Sequence, residues 1–195
     1  MSDYMPLPEI RFRPKEPKIL EAVLFLIQEC AQTRGHAPSQ YDIVKTIFLA
    51  DRAHLNNYGR PITFDNYVAM THGPVPSFTY DLLKPTFDFG RVYGDPRPPW
   101  TVERVGNISR FVGVARSPNL RVLSKTDIDA LRDALATIMS LSFSQVRKLT
   151  HQDVAYLDAW QGDGEAQSYP MRYALLLEEP EPDRIEDLAH IAEVA

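Results

Sequence analysis

Apolar residues recur at helical spacing along most of this chain. The run Leu20, Ala22, Val23, Leu24, Phe25, Leu26 and Ile27 is apolar nearly all round, so the spacing predicts a buried central helix over 17–34. Pro17 suits its first turn and Gly35 its C-terminal end. A second helix is expected from Ser39, with Asp42 three residues on as an acidic capping box, to Gly59. At about 100° per residue, Ile43, Val44, Ile47, Phe48, Asp51, His54, Leu55 and Tyr58 share one arc of about 140°. Lys45, Arg52 and Asn56 lie opposite and are expected to form a solvated face.

The chain then changes character. Residues 61–70 alternate weakly and read as short extended segments. Gly73-Pro74-Val75-Pro76 reads as a tight turn that launches a helix over 77–83, closed by Pro85. The stretch 87–100, rich in proline and glycine, is expected to be a surface loop. A hairpin over 102–114 turns at Gly106-Asn107, with a third strand over 120–123. Capping boxes at Ser124/Asp127 and Ser142/Gln145 open two helices, the second ending near His151. A helical turn over 153–160, a helix over 170–177 and an amphipathic segment after Pro180 and Pro182 complete the pattern. The expected fold is mainly α with a small antiparallel β element, an α+β arrangement in one compact domain.

Composition narrows this further. A length of 195 residues with 44% apolar content suits one domain, here 18–178, with an extended arm over 1–17 and an acidic amphipathic tail over 179–195. No apolar run approaches the roughly 20 residues that span a bilayer, and the first residues lack a signal-peptide apolar stretch. The single cysteine, Cys30, excludes an internal disulfide and a multi-thiolate zinc site, which fits a reducing cytoplasm. Net charge is -5, divided as +3 over 1–122 (15 basic, 12 acidic) and -8 over 123–195 (6 basic, 14 acidic). An acidic C-terminal part argues against nucleic acid and suits a basic protein partner.

The candidate chemistry is sparse. His36, His54, His72, His151 and His190 show no metal-ligand spacing, and no nucleophile elbow or phosphate loop occurs. The expectation is no cofactor, no metal and no enzyme. Asp51 and His54, three apart on one apolar face, are expected to form a buried pair that positions the second helix, bonding the Gly73 turn. With Gly73, Pro74, His151 and Trp160 they make up the structural polar motif. A rigid Gly73-Pro74 turn would present His72 and Val75 to a partner at low entropy cost. Trp100, after two prolines, is expected exposed at its edge as an interface anchor, and Trp160 in the core. Ile185, Leu188 and Ile191 form an apolar stripe that needs a surface to pack on, the domain's own or a partner's.

The block KTIFLADRAHLNNYGRPIT, followed by YVAMTHGPVPSFTYDLL, resembles the Panacea, or SocA-like, antitoxin domain of bacterial and phage toxin–antitoxin systems. A second block places His151 and Trp160 in the family's "TH...W" position, and the resemblance covers residues 20 to 175. It implies a mainly helical domain acting through protein–protein interaction. It implies neutralisation, by direct binding, of a cognate toxin encoded by an adjacent gene. Some relatives act as adaptors that deliver a partner to a protease, which stays open as an alternative. A hydrolytic or metal-dependent enzyme using Asp51, His54 and His151 is the other.

Overall fold

In the computed structural model, residues 7–33, 36–160 and 166–194 are described. The expected closure of the first helix at Arg34 and Gly35 lies outside them. Helix α1 (Glu16–Thr33) runs through the centre, with Ile19, Ala22, Val23, Leu24, Leu26 and Ile27 fully buried. Each of these but Ala22 contributes roughly 1.5–3 kcal/mol of transfer free energy. Helix α2 (Gln40–Tyr58) starts at the reciprocal Ser39/Asp42 box and stops at Gly59, whose φ of 74° lets its N–H reach Leu55 O.

After α2 the chain forms strands β1 (Tyr67–Met70) and β2 (Gly73–Pro76), paired antiparallel from Tyr67↔Pro76 to Met70↔Gly73. The Gly73–Pro76 stretch is therefore a buried strand, and the turn itself falls on Thr71-His72. Helix α3 (Ser77–Leu82) follows directly. The expected surface loop instead contains helix α4 (Phe89–Tyr93), and Trp100 is buried. Phe87, Phe89, Trp100 and Phe111 stack edge to face at 4.9, 5.3 and 5.9 Å, which removes them from water together. Strands β3 (Trp100–Val105) and β4 (Ile108–Val114) form the expected hairpin around Gly106. The expected third strand is a 3-10 turn, Leu120–Val122.

Helices α5 (Lys125–Ser140) and α6 (Phe143–Thr150) open at their capping boxes, and α7 (Val154–Ala159) is capped by Asp153. Strand β5 (Tyr169–Pro170) adds to β1, giving the order β2-β1-β5. Where a helix was expected over 170–177, a 3-10 turn at Tyr173–Leu176 follows β5. Helix α8 (Pro182–Val194) ends the described chain.

Two apolar clusters share α2. Ile43 and Ile47 join α1, α5 and the hairpin; Phe48 and Leu55 join Ile10, Phe12, Tyr67, Tyr173, Ile185 and Leu188. Ile185 (8% exposed) and Leu188 (1%) thus pack on the chain's own core, with Ile191 partly buried against it. That corrects their reading as partner contacts: the stripe finds its cover within the molecule.

Candidate functional site

The polar residues of α2 divide between two buried assemblies at opposite ends of the β1–β2 hairpin. At the open end, Asp51 Oδ1 accepts the backbone N–H groups of Ile62 (2.9 Å) and Thr63 (3.0 Å). Its Oδ2 accepts the hydroxyls of Thr63 and, at 2.7 Å, Tyr67. Asp65 does the same for α3, accepting Phe78 N–H (2.9 Å), Thr79 N–H (2.7 Å) and the Thr79 hydroxyl (2.8 Å). It serves as a remote cap for a helix whose own cap residue, Pro76, has no side-chain acceptor. Burial raises the pKa of both carboxyls against these donors, Asp65 to about 6.

His54 makes separate contacts. Nδ1 donates to Arg60 O at 2.8 Å, while Nε2 lies 3.0 Å from Thr126 Oγ1 and 3.2 Å from Asp127 Oδ1. Asp127 also receives Lys18 (2.7 Å), Arg60 (3.1 Å) and the Ser124 N–H (2.8 Å). Asp51 and His54 therefore tie α2 to the following loop and to α5, in place of the expected bond to the Gly73 turn.

The group that reaches the Gly73 turn is Lys45. It is fully buried, its Nζ donating to Pro74 O at 2.7 Å. This overturns its place on a solvated face, as do Arg52, paired with Asp153 (2.9 Å) and Glu178 (3.0 Å), and Asn56, which donates to Leu176 O (2.9 Å). Gly73 has φ 98°, and a Cβ there would lie 2.7 Å from Thr150 Oγ1, 3.0 Å from Lys45 Nζ and 3.3 Å from His151 Cδ2. The turn, α2 and the end of α6 thus converge where only a glycine fits. His151 packs on Tyr156 (ring centroids 4.4 Å), whose hydroxyl donates to Met70 O. Trp160 stacks on Tyr156 at 6.0 Å and is half-buried, outside the core position expected for it.

The convergence joins the two motif blocks, and the sequence model described as "Antitoxin SocA-like, Panacea domain" matches residues 43–156, more than half the chain. The chain belongs to the SocA-like, Panacea-domain antitoxin family. Neither the curated proteins nor the solved structures show a match.

In this Panacea domain the Gly73 assembly is incompletely paired. His151 Nε2 and Tyr41 Oη are buried without a hydrogen-bond partner among the described residues. Burial pushes the Lys45 amine down to about 7. It also lowers the His151 pKa, helped by the charges of Arg147, Lys45 and His72, and raises the Tyr41 phenol to about 12. Asp51, His54 and His151 are not gathered into one site, and no group of three metal-ligating side chains occurs among the described residues. No described helix is long and apolar enough to cross a membrane.

From the assembly an aromatic ledge reaches the surface. His72 is exposed and meets Phe143 edge to face at 5.5 Å; Phe143, 52% exposed, tilts on Tyr41 at 4.7 Å; Tyr41 carries Lys45 Nζ 5.3 Å from its ring. Of the expected partner contacts on this side, His72 is available, whereas Val75 (6% exposed) and Trp100 (7%) are enclosed. Both are corrections: Val75 is held inward by strand pairing, and Trp100 by its aromatic neighbours. Tyr41 and Phe143 escaped sequence reasoning. Phe143, in an otherwise polar first turn of α6, was the available signal.

Proposed function

We propose that this chain neutralises a cognate protein toxin, encoded by an adjacent gene, by direct binding, with the Tyr41–His72–Phe143 ledge as part of the toxin-binding face. Membership of an antitoxin family supports the partner class. The observation that carries the ledge is Phe143, a large aromatic 52% exposed beside a rigid glycine turn. Exposed aromatics on preorganised supports are the residues that dominate protein interfaces.

The test is co-expression with the product of the adjacent gene, scored by growth, followed by co-purification. A stable complex from purified components without a protease is expected. Phe143→Ser should weaken it at least about tenfold, within the range of interface anchors, and leave the melting temperature unchanged. Growth rescue that requires a protease, with no stoichiometric complex, would replace direct neutralisation by delivery for degradation.

A further inference from the structure

Next to the ledge lies an open groove of about 490 Å³ between the N-terminus of α2, the β3–β4 turn and the α5–α6 corner. Its floor and walls include Tyr41, Ile108, Ile138, Met139, Phe143 and Val146. Three properties distinguish it. First, its rim is apolar and uncovered: Ile108 is 49% exposed, its cross-strand neighbour Val105 63%, and Phe143 52%. A small molecule in the groove would leave Val105 and the outer faces of Ile108 and Phe143 in water. A chain segment lying across it would cover them. Second, Tyr41, which lines the groove, carries a hydroxyl with no hydrogen-bond partner among the described residues.

Third, the charges of the lining pair with each other, and the unpaired charge beside it is a cation. Arg110 and His36 line the groove. Arg147 is not itself a lining residue, but its charge acts on Tyr41 in the groove wall; it is exposed and forms no ion pair with a carboxylate among the described residues. The lining carboxylate, Asp42, is already held by Ser39 N–H and Oγ at 2.8 and 2.7 Å, with Arg110 at 3.4 Å. None of the fourteen carboxylates of residues 123–195 is among the lining residues, although α5 and α6 of that range form one wall.

We infer that this groove receives a segment of the toxin that carries an apolar anchor flanked by acidic side chains. The anchor sits on Met139 and Ile138, and a carboxylate faces Arg147. This deepens the proposed neutralisation and depends on it. It also revises the charge expectation: the acidic tail suggests a basic partner, whereas the groove asks for local acidity in the segment that enters it.

A photo-crosslinking residue placed at Ile108, in the full chain bound to the adjacent-gene product, reads the segment by mass spectrometry. The same residue at Val194, exposed on α8 and absent from the groove lining, is the control. The expected result is a cross-link from Ile108, and none from Val194, to an apolar segment bearing Asp or Glu. Arg147→Glu should weaken the complex at least tenfold and flatten its salt dependence, with unchanged thermal stability. A cross-link to a basic or purely polar segment overturns the inference. So does a complex that forms normally with no Ile108 cross-link and is indifferent to Arg147→Glu; in that case neutralisation by direct binding stands and the groove does not. Absence of both complex and growth rescue in the unmodified pair would instead remove the functional reading itself.

Discussion

The two ends of the β1–β2 hairpin bury polar groups in opposite ways. At the open end, Asp51 and Asp65 together accept seven hydrogen bonds, from Ile62, Thr63 (twice), Tyr67, Phe78 and Thr79 (twice). At the turn end, Lys45 has a single carbonyl, and Tyr41 Oη and His151 Nε2 have nothing among the described residues. Native cores rarely leave such groups unpaired, because each costs about 1–3 kcal/mol. The satisfied end lies deep in the molecule. The unsatisfied end adjoins the exposed ledge of His72 and Phe143. The difference separates polar burial that is fully paired from polar burial that is not.

The sharpest way to break this contrast is Asp51→Ala. It strands two backbone N–H groups and two hydroxyls, and should cost about 3 kcal/mol in urea denaturation; a loss below about 1 kcal/mol would show that the loop repairs itself. Gly73→Ala comes next. A Cβ 2.7 Å from Thr150 Oγ1 at φ 98° should cost about 2 kcal/mol, read the same way.

A matched pair of tyrosines tests the contrast directly. Tyr67→Phe removes a donor to Asp51 and should destabilise by about 1.5 kcal/mol. Tyr41→Phe removes a hydroxyl without a partner and should change stability by less than about 0.5 kcal/mol, in either direction. Equal losses would mean that the Tyr41 hydroxyl is satisfied in solution.

The remaining test reads a slope rather than a single loss. The Lys45 amine titrates near 7 when folded and near 10.5 when unfolded. Between these values the unfolded chain holds the proton that the folded chain has released, so this group makes stability rise with pH from about 7 to about 10.5. Lys45→Met should flatten that rise in denaturation midpoints measured across the window.

The local signals that matched were caps and stops, whereas the Gly73-Pro76 turn and the strand over 120–123 did not. The capping pairs at Ser39, Ser124 and Ser142, the stop at Gly59 and the turn at Gly106-Asn107 each act within a few residues and appear as read. What escaped was set by distant chain. Lys45 falls on the polar side of a helical wheel, but β2 and α6 cover that side. Arg52 and Asn56 meet Asp153, Glu178 and Leu176 from beyond residue 150. Tyr58 shares the apolar arc yet is 57% exposed, because Leu55 is the last residue of α2 that the core encloses. Trp100 looked exposed among prolines, although the nearby run of aromatics was a sign that they pack on one another. The spacing of Ile185 and Leu188 showed a stripe; it held no information about which surface would cover it.

The remote cap on α3 also sets an order of events. Six residues cannot hold a helix alone. The first free N–H groups of α3 wait for Asp65, thirteen and fourteen positions earlier in the chain. Those positions meet only once β1 and β2 have closed on each other. Helix α3 is therefore expected to form late on the folding path and to be lost early when the protein opens. Thr79→Ala should speed unfolding and leave the refolding rate nearly untouched. That outcome would make the short segment a latch on the finished hairpin, one that sets how long the native state lasts rather than how fast it forms.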